Sequence, residues 1–352
     1  MRLTRAILVL GVLVCVLSSA VGTELSKPET NFEALWKTFY ERYAFFNLRG
    51  VDWQKQYKTY RPKVTKDTSD EQLFAILCEM LKPLKDGHVN LKAKGLGPKK
   101  KKTFNSEDTP RFFKEFNAGK LEKQFEDMVL KTLKDKGFGE QKEATELLVY
   151  SRNKDYGYLL ITEFEGVSKR NLEKGLDKVL DEMKGIKGLI VDIRLNPGGT
   201  DQCVYQITSR FADKKRVGHH RKTKNGSGED DFGELKIRHL IPAQDTFTGP
   251  TVLLTHDASF SAADVFAMLM ADLPHVTIIG EPTNGIFSNM LEKKLPNGWK
   301  YTLSHQVYYS ADMTCYEGKG IPVDIRLLNK RADLEKGADP LILKALEVLS
   351  AK

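Results

Sequence analysis

Apolar positions along the chain fall into two regimes. From Asn31 to about Leu91 they recur every three or four residues. Phe32, Leu35, Trp36, Phe39 and Tyr40 make one stripe, and Leu73, Phe74, Ile76, Leu77, Met80 and Leu81 make another. That spacing predicts amphipathic helices. Pro62 and the polar segment Thr65 to Ser69 break the pattern, and Ser69, followed by Glu71 and Gln72, opens the second stripe as a helix start. A Lys-rich connection from Lys92 to about Pro110 leads to two further helical patterns, Phe112 to Phe116 and Leu121 to Leu133. No internal repeat with a period of 20 to 50 residues is visible.

Beyond residue 150 the period changes. "YGYLLITEF", "GLIVDIRLN", "TVLLTHD" and "VTIIGEP" are short, continuous apolar runs rich in Ile, Leu and Val, each closed by turn residues. Such runs predict strands buried on both faces. Helical patterns lie between them at Lys169 to Met183 and Ser261 to Leu273, and this alternation predicts an α/β domain with a largely parallel sheet. Ligands of such sheets collect beyond the carboxyl ends of the strands. Candidate chemistry is therefore sought in the residues that follow the four runs.

The N-terminus adds a compartment. Arg2 and Arg5 precede an apolar run, Ala6 to Leu17, and then the small residues Ser18, Ser19 and Ala20, the layout of a secretory signal peptide. The run is too short to span a bilayer, and no later stretch reaches the roughly 18 apolar residues a span requires. The expectation is a secreted chain with no membrane span, cut after Ala20 or Gly22. Three units are expected: a signal peptide over 1–22, an N-terminal helical domain with a basic loop over 23–150, and the α/β domain over 151–352. Losing Arg2 and Arg5 takes the basic count from 55 to 53 against 47 acidic residues. Much of the excess sits in the run Lys99 to Lys102, which has no interleaved aromatics, so a nucleic-acid partner is not expected. Cys15 leaves with the signal, and Cys78, Cys203 and Cys315 remain, which allows one bridge at most. Asn225-Gly226-Ser227 is a glycosylation sequon in a Gly-rich polar stretch, expected to be an exposed loop.

Four short segments carry candidate chemistry. After the second strand run comes "NPGGT", in which Gly198 and Gly199 either make an ordinary tight turn or bring backbone N–H groups close to a ligand, as an oxyanion hole requires. The dinucleotide spacing Gly-x-Gly-x-x-Gly is absent there, so no nicotinamide cofactor is expected. After the third run, Ser261 with Asp264 three residues on is either a helix cap or a nucleophile whose neighbouring N–H, from Ala262, points the same way as its side chain. "KDGHVNL" sets His88 at the end of a helix, and "CYEGKGIPVDI" sets Glu317 in a polar turn. The other histidines, including His219 and His220, lack zinc-site spacing, and no metal or other cofactor is expected.

In one order, Asp-Gly-His, a strand with Asn-Pro-Gly-Gly, Ser-x-Ser-Ala-x-Asp, "GEPTNG" and "EGKGIPVDI" resemble the S41 serine peptidases, the group of carboxyl-terminal processing (tail-specific) proteases and the core of tricorn. The resemblance runs from about Asn31 to Leu328. It implies a crotonase- or ClpP-like α/β catalytic domain behind a helical domain, and a peptide or unfolded-protein substrate. It makes Ser261 the nucleophile. Ile286 stands where the processing branch has its lysine base, so the resemblance turns to the tricorn-like branch and implies His88 as base and Glu317 as the acid orienting it. Gly198, Gly199 and Ala262 are implied as the oxyanion hole, with the donating glycine left open. Asp264 stands where the processing branch commonly has Glu, and tricorn's serine before the histidine is here Gly87. The stretch Gly95 to Glu146 does not read as a PDZ-like segment. The resemblance extends to the lipophile-binding repeats of interphotoreceptor retinoid-binding protein, so an inactive binding module is the alternative function. Cys203 and Cys315, both near this site in sequence, either pair or remain, with Cys78, as free thiols.

Overall fold

The four buried runs become the parallel heart of one sheet. In the computed structural model, which describes residues 27–116 and 121–351, seven strands lie in the order Ile325–Arg326, Val276–Gly280, Thr251–Thr255, Gly188–Asp192, Tyr156–Ile161, Leu148–Arg152 and Lys142–Thr145. The expected signal peptide lies outside the described residues. The first five strands run parallel and the last two antiparallel. Successive residues of each run face opposite layers. Leu189, Val191, Leu253 and Ile278 pack under the helices Lys169–Glu182, Asp201–Thr208 and Ala262–Ala271. Ile190, Val252, Leu254 and Ile279 pack on Glu122–Asp135 and Pro340–Ser350. Because both faces are covered, the runs show no polar alternation, and each fully buried aliphatic side chain contributes about 1.5–3 kcal/mol.

A buried ion cluster closes the second layer. Arg194, just past the strand Gly188–Asp192, pairs with Asp192 at 2.6 Å and with Asp339 at 2.7 Å. Asp339 also caps the helix Pro340–Ser350 through the Leu341 N–H, so the C-terminal helix is tied to the sheet end.

The N-terminal helices Lys27–Arg42, Phe46–Arg49, Trp53–Tyr60 and Asp70–Leu81 build a separate core around Phe32, Phe39, Trp53 and Leu77. Ser69 opens the last of them with reciprocal side-chain caps to Gln72. Leu303, Tyr301 and Trp299 belong to this core as well. They arrive on the hairpin Met290–Lys294 and Lys300–Ser304, which reaches back from the second half of the chain and pairs with Asn90–Lys94.

That pairing corrects one expectation. The Lys-rich connection is largely a β-hairpin, Asn90–Lys94 with Lys101–Asn105, paired over five rungs. Leu91 and Ala93 are buried while Lys92 and Lys94 are exposed, a period of two that the lysine content hides. His88 likewise ends no helix. It lies between the short 3₁₀ turn Lys82–Leu84 and the strand Asn90–Lys94.

Candidate active site

Ser261 occupies the turn between the strand Thr251–Thr255 and the helix Ala262–Ala271, at φ +55° and ψ −112°. A β-carbon is costly in that left-handed region, and non-glycine residues held there cluster at functional sites. The side chain makes no capping hydrogen bond. The helix-cap reading therefore loses its physical basis, because a capping serine is extended and bonds an N–H one turn on.

Asp264 holds the turn in shape. Its fully buried carboxylate accepts from the N–H groups of Gly285 at 2.7 Å and Ile286 at 3.1 Å, and further bonds come from the Ser261 backbone and the Thr283 hydroxyl. Burial raises the carboxyl to about 6, against those four bonds. The loop so gripped, "GEPTNG", interlocks with the "EGKGIP" turn. Gly318 N–H donates to the Gly285 carbonyl at 2.7 Å, and Ile321 N–H donates to the Thr283 hydroxyl at 2.9 Å.

The "NPGGT" loop lies against the serine. Phe260 N–H donates to the Asn196 carbonyl at 3.1 Å, and a Cβ placed on Gly198 would come within 2.8 Å of both the Phe260 carbonyl and the Ser261 Cβ. Only glycine, here at φ +101°, permits that approach. The structure also separates the two glycines. Gly198 N–H donates to the Asn196 side-chain oxygen at 2.9 Å. The N–H groups of Gly199 and Ala262 have no acceptor among the described residues.

Ser261, His88, Gly198 and Gly199 line one cleft of about 400 Å³, together with Gly87, Glu107, Glu163, Glu165, Pro197, Phe260, Ile286 and Met290. His88 is 7 % exposed, and its Nδ1 has no hydrogen-bond partner among the described residues. Burial lowers its pKa from the ordinary imidazole value, opposed by the charge of Asp86 and by the Ser288 carbonyl beside the ring. Its backbone is pinned on both sides: the N–H donates to Asp86 at 2.8 Å, and the carbonyl accepts from the Thr302 hydroxyl at 2.7 Å.

Glu317 is buried but is not bonded to His88. Its carboxylate accepts from Phe287 N–H at 2.9 Å and faces the Arg49 guanidinium at 3.5 Å. Burial pushes its carboxyl well up, Asp86 pushes it further, and the Phe287 bond and Arg49 oppose both. The short segment 286–288 links the two groups: Ile286 lines the cleft, Phe287 holds Glu317, and Ser288 presents its carbonyl to His88.

Glu107 is one of three cleft glutamates, with Glu163 and Glu165, that sequence reasoning missed. It accepts from the Asn284 amide at 2.7 Å, and burial raises its carboxyl to about 7. It stands alone in a stretch that carries no motif, so only the hairpin turn that brings it home could have pointed to it. Cys203 and Cys315 are free, the second of the two alternatives for them. Cys203 sits in the core under the central helices and Cys315 against the N-terminal core, so nearness to the site in sequence does not bring the two sulfurs together.

Residues 155–327 match Peptidase family S41, and residues 26–82 match the tricorn protease C1 domain. A crystal structure of an inferred peptidase from Parabacteroides merdae superposes with a TM-score of 0.77 at 30 % identity, over 92 % of this chain and 97 % of that one. This chain belongs to peptidase family S41. The S41 segment carries the serine, both glycines and Glu317, whereas His88 falls in the gap between the two matched regions. Carboxy-terminal processing protease CtpA of Bacillus subtilis is 31 % identical over 180 residues, which are 51 % of this S41 chain and 36 % of that relative. The chain thus spans little more than a third of that relative's length. Mature CPAF shares the S41 architecture, with a TM-score of 0.64 at 12 % identity over 92 % of this chain and 97 % of that one. It supports the fold alone. Between the two matches, the S41 chain has a hairpin and the helices Arg111–Glu115 and Glu122–Asp135.

Proposed function

We propose that the chain is a secreted serine peptidase. Ser261 attacks the carbonyl of a peptide or unfolded-protein substrate. Neutral His88 takes the hydroxyl proton and later returns it to the leaving amine. The developing oxyanion accepts from the N–H groups of Gly199 and Ala262, and removing one such donor typically costs about 2.7–4 kcal/mol in the transition state. Glu317 supports the base from behind the 286–288 segment. It does not touch the ring, and the charge that favours an imidazolium comes from Asp86.

One observation carries this reading: a serine in a strained backbone, uncapped, faces a cleft that also holds a buried histidine with a free ring nitrogen. A helix cap needs none of these. The lipophile-binding alternative needs a cavity without charge, and this cleft carries Glu107, Glu163 and Glu165 beside Phe260, Ile286 and Met290. Among the described residues no helix is long and apolar enough to cross a membrane. Export rests on Arg2, Arg5 and the apolar run after them, and N-terminal sequencing of the mature protein should begin near residue 21 or 23.

Turnover of unfolded polypeptide by the purified protein tests the chemistry. Ser261→Ala and His88→Ala should each remove nearly all of it, and the double variant should be little worse than either, because members of a catalytic unit are not additive. Hydrolysis surviving Ser261→Ala would end the proposal.

A further inference from the structure

The wall of the cleft has one sign of charge. Glu107, Glu163 and Glu165 line it with Ser261 and His88, and no Lys or Arg does, although the chain as a whole carries 55 basic residues against 47 acidic ones. None of the three glutamates takes part in an ion pair among the described residues. The Glu107 carboxylate has only the neutral Asn284 amide. Arg49, the cation whose charge reaches Glu107, is already paired with Glu317.

Two of these glutamates are held in register with the oxyanion donors. Phe164, between them, is fully buried and bonds the glycine loop from both sides: its N–H donates to the Gly198 carbonyl at 2.7 Å, and its carbonyl accepts from Thr200 N–H at 2.9 Å. A Cβ on Gly199 would fall 2.3 Å from the Phe164 carbonyl carbon and 2.8 Å from the Glu165 nitrogen. The 163–165 backbone therefore lies in contact with the loop that supplies an oxyanion donor, and Glu163 and Glu165 flank the place where a scissile carbonyl would rest. A Cβ on Gly87 would lie 2.7 Å from Glu107 Oε2, which puts this carboxylate against the backbone of the residue before His88. Glu163 is half-buried and Glu165 exposed at the rim, and the same cleft is lined by His88, 7 % exposed, whose Nδ1 has no partner among the described residues.

We infer that the cleft recognises a cationic group next to the scissile bond, a Lys or Arg side chain, through Glu107, Glu163 and Glu165. The inference rests on the peptidase reading and adds the substrate class to it. A cation in this position would offset the repulsion Glu107 feels from Asp86 and Asp264. Opposite charge at a partly enclosed wall favours the matching partner and disfavours an anion, so an internal bond beside a basic residue suits the cleft and a free α-carboxylate does not. A free N-terminal ammonium carries the same charge, and the test separates it from a side chain.

The experiment uses amidated peptides in which each position around a mapped cleavage site is Lys, Gln or norleucine in turn, with free or acetylated N-termini. The protein is wild type or the triple variant E107Q/E163Q/E165Q. The expected result is a kcat/KM for one Lys position at least about tenfold above norleucine, independent of acetylation, falling with salt, and lost in the triple variant. A preference that acetylation abolishes assigns the cation to the terminus and overturns the side-chain inference. Equal rates for Lys and norleucine, or a preference that persists in the triple variant, overturn it as well. Binding of the same fluorescently labelled peptides to Ser261→Ala makes the question independent of turnover. Selective Lys binding without hydrolysis by wild type would sink the peptidase reading and leave the recognition standing, whereas hydrolysis without Lys selectivity would do the reverse.

Discussion

Replacing Gly198 by Ala asks whether the space between the glycine loop and Ser261 is catalytic. The new methyl carbon would start 2.8 Å from the Ser261 Cβ and 3.0 Å from the Ala262 nitrogen, where ordinary contacts begin at 3.4 Å. The two loops must therefore part by roughly half an ångström, a displacement enough to misplace the Ala262 N–H, since catalytic constellations tolerate only about that much. Gly198 N–H itself donates to Asn196, so the loss is indirect. Its size is that of one oxyanion donor, about 10²–10³ in kcat. Alanine at φ +101° adds about 1–3 kcal/mol of backbone strain to the unfolding balance. Gly185 provides the control. It too has positive φ, +79°, but a Cβ there meets nothing within 4 Å, so Gly185→Ala carries strain alone. Steady-state kinetics with urea unfolding of both variants separates the two effects. Both should lose stability, Gly198→Ala by more because its loops must also part, while kcat collapses only in Gly198→Ala. A folded Gly198→Ala protein with kcat within about threefold of wild type would refute the reasoning.

Three further outcomes are expected. Asp264→Asn leaves one of the Gly285 and Ile286 N–H groups facing an amide NH₂, so it should cost about 1–3 kcal/mol in urea unfolding and lower kcat more than it raises KM; unchanged kinetics would remove Asp264 from its positioning role. With the neutral imidazole of His88 as the proposed base and its pKa lowered by burial, the acid limb of kcat/KM should fall below the ordinary value of 6.5, and a limb above 7 would contradict the assignment. Burial, with the charges of Arg221 and Arg238 nearby, holds His219 down to about 3, so the unfolded chain binds its proton first and stability is lost as pH drops below 6.5. The slope is up to about 1.4 kcal/mol per pH unit, and His219→Gln should flatten the pH dependence of the urea midpoint relative to wild type.

The strands of the catalytic sheet were legible because burial on both faces leaves an unbroken apolar run that little else resembles. The helix after Ser261 was legible for a related reason: the apolar positions from Ala262 to Met270 are all buried, so its pattern is strong. The hairpin Asn90–Lys94 with Lys101–Asn105 was not, since its buried residues are few and its lysines are what composition registers. The strand Arg216–Thr223 reads as polar for the same reason, with only Gly218, His219 and His220 buried. The serine, the two glycines and the histidine that line the cleft all sit in short motifs visible in the sequence. What remained hidden was the use of each atom. That Gly198 spends its N–H on Asn196, that Asp264 grips a loop twenty residues on, and that Arg49 reaches Glu317 from the N-terminal helices are consequences of packing between distant segments, to which no local pattern corresponds.

The central claim is that Ser261 is an activated nucleophile. Incubating the folded protein with a fluorophosphonate and mapping the adduct by mass spectrometry tests it most directly, since such reagents phosphonylate serines activated by a neighbouring base. The account predicts one adduct, on Ser261, formed much more slowly in His88→Ala and absent after Ser261→Ala. An unlabelled wild-type protein, or an adduct on another serine such as Ser259, would contradict it.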